Sequence, residues 1–154
     1  MGAKVKNPRK KFLWSIMFPK HPINTYLFQS CTLPDIEIDQ VAHGDVNRDV
    51  KTAGRVTIGN LIVEKLMTTA GSDTWLHDWL YACQDHIVGG GLVPSQYWET
   101  AIVNELAEDG VSVLNTHVFE EVWPCKITGL DLDRMASENT IESIEFSVGT
   151  VDKY

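Results

Sequence analysis

Basic residues are scarce in this chain beyond its first stretch, and that scarcity excludes more than any motif does. Six of the 13 lysines and arginines stand in the first twenty of 154 residues, as Lys4, Lys6, Arg9, Lys10, Lys11 and Lys20, with no acid among them. The other seven face all 21 acidic residues, so a body of net charge −14 follows a basic start. Gripping nucleic acid requires cations that replace counterions on phosphates, and such a body does not supply them. Only three cysteines are present, Cys31, Cys83 and Cys125, odd in number and too far apart for a disulfide framework or a zinc motif. That usage fits synthesis in a reducing cytoplasm. No apolar run approaches the length of a membrane span, so no membrane anchoring is expected. Phe12–Phe18 is short for a signal sequence and is followed by Pro19-Lys20-His21-Pro22 instead of small residues.

Chemical motifs are equally thin. His77 and His86 are nine residues apart on one helical pattern and point to nearly opposite sides, so they share no metal. Gly89-Gly90-Gly91 follows a helix, whereas a phosphate loop precedes one. Asp131 and Asp133 lack the further oxygen ligands of a calcium loop. No catalytic, metal-binding or cofactor-binding residue is therefore assigned, and the chain reads as a non-enzyme without a cofactor.

What the sequence does contain is strand. From Ile144 to Val148 the side chains alternate, with Ile144, Phe146 and Val148 opposite Glu145 and Ser147. That is the period of a strand with one buried face and one wet, acidic face. The same pattern sets Ile36 and Ile38 against Asp35, Glu37 and Asp39. Further strands are expected at Phe12–Phe18, Thr25–Cys31, Arg55–Leu66, Trp98–Leu106, Val111–Glu120 and Cys125–Leu132. His43–Gly54, polar and carrying two glycines, reads as a long loop. Asp109-Gly110 turns a hairpin. One helix, capped by Ser72 or Asp73 and ended by Gly89-Gly90-Gly91, carries Trp75 and Trp79 on its apolar side with Cys83, His86 and Ile87. The expected fold is α+β, mainly antiparallel β: a sandwich or partly closed barrel with one flanking amphipathic helix. A basic arm over residues 1–11 precedes a single domain over 12–154.

At Leu33-Pro34, Asn47-Arg48, Lys51-Thr52-Ala53-Gly54-Arg55, Gly59-Asn60-Leu61 and Val63-Glu64-Lys65 the chain resembles the tail tube proteins of contractile-tailed bacteriophages and related contractile injection systems. The resemblance continues through Trp75 and Trp79, Glu105-Leu106, Asp109-Gly110, Trp123-Pro124, Glu138-Asn139, Ile141-Glu142 and Phe146. It implies six-membered rings that stack into a hollow tube conducting DNA inside a contractile sheath. The implied location is a virion tail assembled in the bacterial cytoplasm. Implied partners are further copies of the chain, sheath, baseplate and tail-terminator proteins, and tape-measure protein and DNA held loosely in the lumen. Two close alternatives are the tube of a protein-translocating injection system and a baseplate protein that initiates the tube. A monomeric barrel for small ligands is the alternative from a different class.

Three sets of residues carry specific expectations. Asn47, Arg48, Lys51, Thr52 and Arg55 are expected at a contact between subunits or rings, since mixed-sign charge suits an acidic partner. Asp35, Glu37, Asp39, Glu142 and Glu145 are expected to face the lumen, where like charge repels DNA and keeps it mobile. Cys31 and Cys125 are candidates for an inter-chain disulfide, with burial as the favoured state of each.

Overall fold

The computed structural model describes residues 8–21, 28–67 and 74–154. The candidate helix caps Ser72 and Asp73, the first half of the expected strand Thr25–Cys31, and Lys4 and Lys6 of the basic arm lie outside them.

One antiparallel sheet dominates the described residues. Its strands are β1 (Trp14–Met17), β2 (Phe28–Thr32), β5 (Leu61–Leu66), β6 (Glu99–Leu106), β7 (Val113–Ile127), β8 (Ile141–Ser147) and β9 (Thr150–Lys153). They run in the order β1-β6-β7-β8-β5-β2, with β9 on the other side of β7. A separate two-stranded sheet is formed by β3 (Ile36–Gly44) and β4 (Asp49–Ile58). Helix α1 (Trp75–Cys83) and the single turn α2 (Pro94–Tyr97) connect β5 to β6. This is the mainly antiparallel α+β fold expected from the alternation, with its large sheet left unclosed between β1 and β2.

β7 merges two expected strands. Its first half pairs with β6 and β9, and its second half, from Trp123, pairs with β8. Pro124 donates no hydrogen bond and would interrupt an ordinary ladder; here the register shifts between Pro124 and Lys126, so it sits at a bulge. The strand bends just before it, where Glu121 adopts φ 56. Gly149 lies against that bend, and a Cβ there would lie 2.6 Å from the Glu121 Cβ, which cannot swing aside as the end of a side chain can. Only glycine lets the β8–β9 turn pass so close.

The inner face of the sheet buries Ile16, Leu61, Val63, Ala101, Val103, Phe119, Val122, Ile144 and Phe146, together with Trp75, Leu76 and Trp79 of α1. Phe18 is the centre of an aromatic cluster, with ring centroids at 5.9 Å from Phe28, 5.7 Å from Trp75, 6.0 Å from Trp79 and 5.3 Å from Phe146. Side chains fill the middle of this sheet, which disfavours the small-ligand barrel. Trp79 Nε1 donates to the Tyr97 carbonyl at 2.8 Å and so ties α1 to α2.

The helix is shorter than its pattern suggests. Gln84 is extended, and the Asp85 carboxylate accepts from the Ile87 and Val88 amides at 2.8 and 3.3 Å. The chain then doubles back, and Gly91 passes the end of α1 where a Cβ would lie 2.2 Å from the Cys83 carbonyl oxygen. His86, Ile87 and Val88 are consequently exposed and do not extend the apolar side of α1.

Candidate assembly surfaces

The expected long loop His43–Gly54 is instead the outer part of the β3–β4 hairpin. Ile36 pairs with Ile58 and Gly44 with Asp49, which leaves only residues 45–48 as the turn, closed by the Asp45 amide donating to the Arg48 carbonyl at 2.9 Å. Every residue of β3 is exposed. An isolated two-stranded hairpin is marginal at best in water and needs a third layer to cover one face. Among the described residues only the base has such cover, where the half-buried Ile58 packs against the core. The hairpin's other apolar side chains are correspondingly bare: Ile36 is 59% exposed, Ile38 53% and Val56 57%.

Alternation and register resolve two faces. At the base, Ile36, Ile38, Val56 and Ile58 share one face, and Glu37, Asp39, Arg55 and Thr57 share the other. The register shifts between Ile38 and Gln40, and beyond this bulge Val41 pairs with Thr52 and His43 with Val50. Those four residues continue the face of Glu37, so the apolar surface changes sides along the hairpin. The hairpin therefore offers an apolar patch at its base on one side and another near its tip on the opposite side.

The five residues assigned to a contact all lie in this hairpin and are all exposed. Asn47 and Arg48 are in the turn, Lys51 and Thr52 are on opposite faces, and Arg55 is near the base. They do not form one patch. Glu37 and Asp39, assigned to a lumen, share a face with Arg55, while Asp35 sits just before β3. Glu145 is elsewhere, on the outer face of β8, where Asn60 Nδ2 donates to its Oε2 at 3.5 Å.

Glu142 corrects the lumen set. It lies an odd number of residues from Glu145 and points the other way, onto the inner face with Ile144 and Phe146, at 1% exposure. Its Oε2 is 3.1 Å from His77 Nε2 of α1, and its register partner on β5 is the equally buried Lys65. A carboxylate removed from solvent in this way fastens the helix to the sheet and lines no channel. In the sequence His77 was considered only as a metal ligand and Lys65 only as part of the Val63-Glu64-Lys65 stretch, and neither was paired with Glu142; the alternation of Glu142 with Ile144 was the available signal.

A second histidine–carboxylate group closes the other end of the sheet. Glu105 accepts from Asn115 Nδ2 at 2.9 Å, pairs with Arg9 and lies 3.6 Å from His117 Nε2. Partial burial raises the Glu105 pKa, but the Asn115 hydrogen bond and the charges of Arg9 and His117 outweigh it and hold the carboxyl below its ordinary value.

Among the cysteines, burial pushes the Cys31 thiol up to about 12. Cys83, half-buried as the last residue of α1, is raised to about 11 by burial and by Glu99. Cys125 is the exposed one, the extra residue of the β7 bulge, and its Sγ donates to the Glu145 carbonyl at 3.4 Å. Desolvation and the Glu145 carboxylate raise its pKa as well. Thiols held protonated oxidise slowly. Non-reducing electrophoresis of assembled protein is therefore expected to give a monomer band, and a thiol reagent to label Cys125 before Cys31; a discrete dimer band would establish the cross-link instead.

Among the described residues, no group of three or more His, Cys, Asp or Glu is placed to hold a metal ion, and no helix is long and apolar enough to cross a membrane. The distinctive chemistry of this molecule lies in its bare hairpin and unclosed sheet edges.

Comparison with known proteins gives these surfaces a context. The family model described as T4-like virus tail tube protein gp19 matches residues 10–151. Tail tube protein gp19 of Enterobacteria phage T4 is 27% identical over 127 residues, covering 80% of this chain and 77% of that protein. Among solved structures, the tube-terminating cap of the anti-feeding prophage superposes with a TM-score of 0.82 at 17% identity, over 100% of this chain and 95% of that one. A chain of the sheath–tube complex of the extracellular contractile injection system PVC, in its extended state, gives 0.78 at 18%, over 97% and 93%. The chain belongs to the T4-like tail tube protein family: it is a structural tube subunit, a component of the virion tail.

Proposed function

We propose that six copies of this chain form a ring, and that rings stack into a hollow conduit for DNA within a contractile sheath. The observation that carries this reading is the β3–β4 hairpin, which exposes apolar side chains on both faces and, beyond Ile58 at its base, is covered by none of the described residues. An edge of this kind is a hazard for a monomer and a joining surface for a polymer. Copies related by one repeated operation form a closed ring when the rotation closes, and a ring with unlike ends stacks. The hairpin, with Asn47 and Arg48 at its tip and Lys51, Thr52 and Arg55 along β4, reaches the neighbouring copy or ring. Its two patches serve two neighbours. Sheath, baseplate, terminator and tape-measure proteins are the further partners. The function is mechanical and needs no catalytic group. Sedimentation of the pure chain over a concentration series tests this reading: large polymers are expected, and a monomer that persists at the highest concentrations contradicts it.

Once a neighbour covers the face of Ile36, Ile38, Val56 and Ile58, the opposite face is left for Glu37 and Asp39. We assign that face, together with Asp35 and the Glu145 face of β8, to the lumen. Six copies multiply the charge, and a like-charged wall does not hold the phosphate backbone. Replacing Glu37 and Asp39 by Lys is expected to leave tubes assembling but to slow genome ejection, most at low salt, where screening is weakest. Ejection at the unmodified rate in low salt would place these carboxylates outside the channel.

A further inference from the structure

The open side of the large sheet holds a cavity of about 250 Å³, between the start of β1, the end of β2 and the end of β6. Leu13, Trp14 and Leu33 supply apolar walls, and Arg9, Lys10 and Lys11 supply a basic rim. Glu105 also lines it, but that carboxylate is engaged by Arg9 and Asn115. Lys10 and Lys11 are exposed and make no ion pair with another described residue. In a chain whose body is so acidic, a half-apolar cleft with free cations at its lip is unusual.

The complementary surface is on the same molecule. Residues 129–139, between β7 and β8, are all exposed and present Leu132 at 77% and Met135 at 92%. Asp131, Asp133 and Glu138 surround these two apolar side chains, with Arg134 as the only base in the segment. The loop is anchored at both ends: Thr128 donates to the Ser143 carbonyl at 2.9 Å, and the Met67 amide donates to the Thr140 carbonyl at 3.0 Å. Within it, Asp133 accepts from the Met135 amide at 3.0 Å, which holds the turn.

Strand register places the two surfaces at opposite ends of the sheet. The cleft adjoins Cys31 and Leu33, where Thr32 of β2 pairs with Ile62 near the start of β5. The loop leads into Ile141, which pairs with Leu66 at the far end of β5. Four strand residues, roughly 13 Å of sheet, separate the two levels. One chain cannot satisfy its own cleft, but copies arranged head to tail can. We propose that the acidic loop 129–139 of one copy docks its Leu132 and Met135 into the basic-rimmed cleft of a second copy. The contact is heterologous, joins unlike patches and repeats with the same polarity at every junction. It rests on the reading of the chain as a tube subunit, and it adds a junction distinct from the hairpin.

Charge exchange tests it. Asp131→Lys with Glu138→Lys reverses the loop, sparing Asp133 and its turn; Lys10→Glu with Lys11→Glu reverses the rim. Like charges then meet across the junction, and each variant should need at least about tenfold more protein to polymerise. Combining all four substitutions restores opposite charges and should return assembly close to that of the unmodified chain. An equimolar mixture of the two reversed variants should also polymerise, since each then finds its complement in the other. Circular dichroism of each variant establishes that it is folded. Reversed variants that polymerise like the parent, or a fourfold variant that stays as impaired as the rim variant, overturn the proposal; the latter result would assign the cleft to another occupant. If the unmodified chain itself forms no polymer, the tube reading fails, and this junction with it.

Discussion

Removing Ala42–Lys51 and closing Val41 to Thr52 with an Asn-Gly turn should leave a folded protein that no longer forms tubes. Val41 and Thr52 are register partners, so the shortened hairpin retains a two-residue connection of the kind that closes tightly. The excised residues are exposed and pack against nothing in the core. Their loss therefore costs the monomer little, and the thermal midpoint should stay within about 2 °C, since surface changes away from packed features shift stability by only about 0.5 kcal/mol. Assembly should be abolished, because the tip patch of His43 and Val50 goes with them. Sedimentation and melting of the same preparation separate the two effects. Unimpaired polymerisation would reduce the hairpin tip to a surface loop.

Phe18→Ala should have the opposite profile and damage the monomer itself. Phe18 is fully buried and touches four aromatic rings drawn from β2, α1 and β8. Truncating a buried phenylalanine costs about 3–5 kcal/mol, the transfer of the ring plus the cavity it leaves. Domains of this size hold about 5–15 kcal/mol in total, so the variant should melt roughly 10 °C or more below the parent. Phe18→Leu should recover about half of the loss. A shift below about 2 °C for the alanine variant would mean that the cluster is not the centre of the core.

How far the sequence revealed this molecule depended on whether a strand carried an alternating pattern; the start of β3 did, at Ile36 and Ile38, although every residue of that strand is exposed instead of having the expected buried face. The alternation of Ile144, Phe146 and Val148 was legible because one side of β8 meets the core. The tryptophans of α1 were legible for the same reason. The outer part of β4 was not, because Asp49–Ala53 is polar, carries no sustained apolar alternation and reads as loop, whereas Arg55–Ile58 fell within the expected strand Arg55–Leu66. β7 appeared as two strands because Pro124 signals a break unless a bulge accommodates it. Glu142 was assigned to a wet face by its charge, although its place in the alternation beside Ile144 already put it inside. The end of α1 was overrun because the chain reverses at Gln84, well before the glycines. The contact residues fell within one hairpin because that segment was marked as unusual, but its division into two opposed faces depends on a register shift that no residue pattern announces.

The most direct measurement is a cryo-EM reconstruction of the polymer formed by the unmodified chain. Rings of six copies are expected, with Ile36, Ile38, Val56 and Ile58 of each hairpin covered by a neighbouring copy and Glu37 and Asp39 turned toward an open central channel. A polymer in which these hairpins project into solvent, or a preparation containing only single chains, would contradict the assembly proposed for this protein.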